Sequence, residues 1–244
     1  MGNNAKIEKH SIPKTLFLHI TPGLINFTAI LLFLPLVQHF GLASPTAGYL
    51  MIPFAMVSVQ LGILLYTSKK KTKNYNIFNI MPYKNKSRTA EYLIFVVIIV
   101  AWGVLTARIL EPFETNIRDS LFAFVPDNIA LRNIQLAQFS KNGLIFTAIL
   151  GVIFNGIIAP ISEELYFRGF LLPRINLPPI GAVILNAALF SLYHFFSPWN
   201  FFSRFILMVP IYYWVMKKSD IRFSLIAHII GNLYSSVAIL IMIL

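Results

Sequence analysis

The apolar positions of this chain gather into long, nearly unbroken blocks separated by short polar ones. The blocks run over 20–40, 48–66, 91–110, 143–172, 179–196, 201–216 and 221–244. A helix needs roughly 20 mostly apolar residues to cross a hydrocarbon core. Most blocks meet that length, the sixth is short and the fourth is long. The pattern predicts an all-α, polytopic transmembrane helical bundle of about seven spans, with an eighth hidden in 111–142 as the alternative. The blocks tile the chain densely, so 1–244 reads as a single integral membrane domain.

Local signals refine this picture. Pro160 lies inside the fourth block; it has no amide donor, which predicts a kink there. The connection 111–142 holds Glu111, Glu114, Asp119 and Asp127. Within it, Ile129, Ile134, Leu136 and Phe139 alternate with polar residues. That spacing suits either an amphipathic helix lying on the membrane surface or a plain loop. The run Lys69–Lys73 reads as a solvated loop. The basic N-terminus precedes an apolar block longer than a signal peptide uses, so that block is read as a retained first span.

Composition agrees. The chain is 57% hydrophobic and only 12% charged, about half the roughly 25% of soluble domains. Its net charge of +11 does not point to nucleic acid, because the basic residues sit between the apolar blocks and form no face of their own. With an alternating seven-span path and a cytoplasmic N-terminus, the inner side takes Lys6, Lys9 and Lys14, then Lys69, Lys70, Lys71, Lys73, Lys84, Lys86 and Arg88. It also takes Arg168, Arg174, Lys217, Lys218 and Arg222, leaving Arg108, Arg118, Arg132, Lys141 and Arg204 outside. That bias sets the N-terminus in the cytoplasm, in what reads as a prokaryotic cell membrane. There are no cysteines, which removes disulfides, thiolate nucleophiles and sulfur-ligated metals.

The polar residues inside the blocks carry the chemistry. A charged group at the centre of a span costs about 2.5–3.5 kcal/mol on translocon scales, so those present pair or serve a function. Glu163, Glu164 and Arg168 stand in the fourth block, within "SEELYFRG". Glu164 and Arg168 are four apart and can pair on one helix face, which leaves Glu163 turned elsewhere. His194 ends "FSLYH" in the fifth block, and His228 and Asn232 share a face of the last. His10, His19 and His39 read as interfacial. Helical rise puts Glu163 roughly 16 Å from Arg174, and His228 and Asn232 roughly 12 and 18 Å from Asp220, all on the inner side. His194 lies roughly 24 Å beyond Pro178, so the four groups can meet in one layer.

One carboxylate, two imidazoles and a carboxamide suit water activation and carbonyl hydrolysis. Glu163 can act as general base, with His194 orienting the same water. His228 and Asn232 can donate to a developing oxyanion, and Arg168 through Glu164 can hold the helix in place. Zinc on Glu163 and the two histidines is the rival arrangement. It lacks an H-E-x-x-H pair and a second carboxylate to act as base, so no cofactor is expected.

"EELYFR", "FSLYH" and "HIIGN" match E-E-x-x-x-R, F-x-x-x-H and H-x-x-x-N in series. In this order the chain resembles the CPBP intramembrane protease family, also called the type II CAAX prenyl protease or Abi family. The resemblance covers 143–244, the motif-bearing part. It implies a membrane-embedded endopeptidase with Glu163, His194, His228 and Asn232 as catalytic residues and Glu164 and Arg168 supporting them. The expected partners are a peptide or membrane-protein substrate and the lipid bilayer, with cleavage near the cytoplasmic side. A non-catalytic immunity or partner-binding protein of the same family is the alternative reading, and a proton-coupled transporter a third.

Overall fold

The computed structural model describes residues 7–130 and 136–243. Lys6, Arg132 and Ile134 lie outside the described residues. Among the described residues, seven helices build the bundle: α1 (Ile12–His39), α2 (Pro45–Thr72), α3 (Thr89–Ser120), α4 (Lys141–Arg174), α5 (Pro179–Leu192), α6 (Phe201–Lys218) and α7 (Arg222–Ile243). Each overlaps one apolar block of the sequence, with α1 starting earlier and α3 ending later than its block. Five of them (α1 to α4 and α7) are long and apolar enough to cross a membrane. The 14-residue α5 is shorter, about 21 Å at 1.5 Å per residue.

The outward faces are apolar. Only 17% of the most apolar stretch of α3 and 11% of that of α7 is buried in the bundle. Leu93, Ile94, Val97 and Ile98 of α3 all point outward. Such a surface would invite aggregation in water; in hydrocarbon it is the solvent-facing side. This is an integral membrane protein.

The helices depart from regular α geometry where the sequence dictates it. Pro53 lies in a π-helical stretch of α2, Ile52–Val57. In α4, π-helical turns occupy Gly151–Ile158 and Glu164–Leu171, on either side of Pro160. The distortion expected at Pro160 thus takes the form of widened turns on either side of it, the second of which carries most of the motif; such turns are common at functional sites. The span expected at 91–110 runs on through Pro112 to Ser120 and carries Glu111 and Glu114 with it. Of the connection that follows, Asp127–Ala130 is a short helix and Leu136–Gln138 a single 3₁₀ turn.

The basic loops meet at one end of the bundle and are tied together. The His10 amide donates to the Arg174 carbonyl at 2.7 Å, and Lys9 Nζ to Pro173 O at 2.9 Å. Asp220 accepts from Tyr92 Oη at 2.5 Å, Ser87 N at 3.0 Å and Arg222 Nε at 2.8 Å. Burial opposes ionisation of Asp220, but the hydrogen bonds from Tyr92 and Arg222 win and hold its carboxyl below the usual range. Burial, with Lys14 and Arg174 nearby, pushes His10 down to about 4. His10 is therefore a buried neutral ring at the end where the basic loops meet.

Between this end and the middle of the bundle lies the tightest packing. Tyr166, Phe167, Phe170, Tyr212, Val215 and Phe223, from α4, α6 and α7, are at most 2% exposed. Gly169 permits it: a Cβ there would stand 2.9 Å from Met81 Sδ and 3.1 Å from Ile221 Cδ1.

Candidate active site

The E-E-x-x-x-R motif lies on α4, above the aromatic layer. Arg168 is fully buried, with Nη1 3.2 Å from Glu164 Oε1. Its guanidinium lies against both the Phe190 and Tyr212 rings, at 3.9 and 3.8 Å from their centroids, in the corner that these two nearly perpendicular rings make. A cation removed from water needs both a counter-charge and polarisable neighbours, and this one has them. The i,i+4 pairing read from the sequence is present.

Glu164 does more than neutralise Arg168. Its Oε1 also lies 2.8 Å from His228 Nδ1. A carboxylate already facing a guanidinium accepts, so Nδ1 donates, and the ring is held with Nε2 turned to Glu163 Oε2 at 3.6 Å. The last helix is thereby docked onto the motif helix through a charged contact.

Glu163 is not left free, as the sequence suggested. Its Oε1 accepts a 2.9 Å hydrogen bond from the Tyr193 hydroxyl, and its other oxygen faces His228. Tyr193 in turn touches Gln60 of α2 through a 3.5 Å contact, and Gln60 Oε1 accepts from Ser162 Oγ at 2.6 Å. Tyr193 was missed in the sequence, where it looks like one more aromatic beside His194. A buried tyrosine needs a partner for its hydroxyl, and that was the available signal.

His194 lies just past the end of α5, in the turn leading to α6. Its Nδ1 is 2.7 Å from the Phe190 carbonyl. A carbonyl only accepts, so Nδ1 carries the proton and Nε2 keeps its lone pair. The position of the turn depends on α1. A Cβ on Gly23 would stand 2.1 Å from the Tyr193 carbonyl oxygen, so only glycine lets the backbones meet.

Asn232 donates through Nδ2 to the Asn155 carbonyl at 2.9 Å, in the π-helical part of α4. Widened turns there leave a carbonyl for a side chain to use. One N–H of the carboxamide and its oxygen remain.

Glu163, His194, His228 and Asn232 all line one cavity of ≈ 500 Å³. Tyr193 and Arg204 line it too. Glu164 and Arg168 stand behind it. Among the described residues no three His, Asp or Glu side chains converge in a way that would hold a metal ion. His19, expected at the interface, is instead buried between α1 and α5: Nδ1 lies 2.7 Å from Thr15 O and Nε2 2.9 Å from Asn186 Nδ2.

Residues 144–234 match the family model described as Type II CAAX prenyl endopeptidase Rce1-like. No curated protein and no solved structure matches the chain. The matched stretch contains all three motifs and every residue of the charged cluster, and over it the chain is similar to the CAAX/CPBP protease family.

Proposed function

We propose that the protein is an intramembrane endopeptidase in which Glu163 activates a water held in the cavity. The carrying observation is that a buried carboxylate, positioned by Tyr193, shares one cavity with the free Nε2 of His194. Water placed there donates one proton toward Glu163 and the other toward His194 Nε2. Its oxygen attacks the peptide carbonyl carbon and its proton passes to Glu163. The carbonyl oxygen becomes an oxyanion that takes hydrogen bonds from the free Asn232 N–H and, when Nε2 is protonated, from His228. Collapse breaks the C–N bond, and Glu163 returns its proton to the departing amine.

Glu164 and Arg168 position His228 and do not touch the substrate. A metal-free reaction fits this set better than zinc. Glu164 is engaged by Arg168 and His228, and among the described residues Glu163 is the one carboxylate lining this cavity, with a basic role to fill. The substrate class is a peptide bond presented within the membrane.

The test is cleavage of a peptide library by purified protein in detergent, comparing wild type with Glu163→Gln, each with and without a strong chelator. Loss of cleavage on Glu163→Gln, with no effect of the chelator, is the expected result. Equal rates for the two proteins would overturn the mechanism.

A further inference from the structure

The cavity that holds Glu163 is closed on one side and continues on the other. Toward the basic loops, Phe167, Phe170, Tyr212 and Phe223 close the bundle, and Arg174 ties α4 to the connection before α3 by donating to Ile80 O at 2.7 Å. Toward the opposite end, the cavity shares Ile30, Pro45, Ala107, Asn200 and Arg204 with a second space of ≈ 910 Å³. That vestibule is walled by Ser44 at the start of α2, by Glu114 and Arg118 near the end of α3, and by Ser197 in the turn before α6. It lies at the end of the bundle away from the basic loops.

Two polar atoms along this path have no partner. Asn26 of α1 and Thr106 of α3 are 3% and 5% exposed and both line the inner cavity. Among the described residues, nothing bonds to Asn26 Oδ1 or Thr106 Oγ1. Buried polar atoms without partners are costly and rare. A peptide backbone offers N–H groups for the first and carbonyls for the second. Arg204, at the neck, spends N–H groups on Ser191 O and Ser197 Oγ and retains others.

We infer that an extended peptide segment reaches Glu163 through this vestibule, from the end of the bundle opposite the basic loops, with its backbone held by Asn26 and Thr106. Because lysine and arginine mark the cytoplasmic side, that end is extracytoplasmic. The motif-free helices α1 and α3 therefore supply the substrate path. This rests on the endopeptidase reading, but the direction of access does not need hydrolysis to be measured.

The chain has no cysteine, so single cysteines report access directly. Ser44→Cys marks the vestibule, Asn200→Cys the neck, and Tyr75→Cys the basic end. In intact cells a membrane-impermeant maleimide should label the first two, with Tyr75→Cys labelled only after permeabilisation. Labelling of Tyr75→Cys alone in intact cells would overturn the direction. Labelling of Ser44→Cys while Asn200→Cys stays dark even after permeabilisation would overturn the continuity of the path. With the best-cleaved library peptide in excess, labelling of Asn200→Cys should slow. Adding Asn26→Leu with Thr106→Val should weaken that protection about tenfold, and undiminished protection would overturn the backbone contact. If no peptide is cleaved, the endopeptidase reading fails while the labelling still decides the side of access.

Discussion

Two histidine–asparagine pairs lie inside this bundle, and they have opposite fates. His19 and Asn186 bridge α1 and α5, both fully buried, with the His19 ring against Phe167 at 5.5 Å between centroids. Both His19 nitrogens are engaged, and neither residue lines the cavity. His228 and Asn232 sit on one helix, face the cavity and touch a carboxylate and a backbone carbonyl. The residue types are the same. What separates a structural clasp from a candidate reaction centre is an open side with room for water and a carboxylate within reach.

The comparison can be broken in several ways, starting with the largest effect. Glu163→Gln is expected to lower kcat/KM by about 10²–10⁴, with the detergent melting temperature near that of wild type. A variant that loses fold and activity together would place Glu163 with the clasp. Next comes the charged support. Arg168→Met leaves Glu164 buried without its cation and is expected to cost about 3–5 kcal/mol of stability, read as a fall in Tm or in folded yield. Asn186→Ala should cost about 1–3 kcal/mol, because His19 Nε2 and the Phe167 carbonyl lose their donor. Its kcat and KM, measured well below its Tm, should match wild type, which is what distinguishes it from His228→Ala.

The smallest effect is a pH dependence at the basic end. The His10 pKa is depressed to about 4 in the folded state against 6.5 ordinarily, so the unfolded chain binds the extra proton between those values. The contribution of His10 to stability is therefore full above about pH 6.5 and is lost as pH falls toward 4. A Tm measured across that window should drop less in His10→Gln than in wild type. An identical slope in both would show that His10 does not titrate as its burial implies.

How much of this was legible in the sequence follows from how local each feature is. The Glu164–Arg168 pair needs only a four-residue helical spacing, and the structure contains it. The seven helices needed only long apolar blocks. Tyr193 on Glu163 could not be read, because the two residues are 30 apart and meet only when α5 packs on α4. His19 looked interfacial from its place just before the first block, yet α5 covers it. The length of α3 was underestimated because the apolar block ends at 110, before Glu111, and here the helix continues through Pro112 to Ser120.

The amino-acid order by itself determined that this is a bundle of apolar helices with a few ionisable groups held inside it, since hydropathy and helical period act over one or two turns. The packing of α1, α5 and α7 around α4 decided which of those groups share a cavity and which are sealed. Those outcomes depend on contacts between residues far apart in the chain, and on a glycine at position 23 that lets two backbones touch.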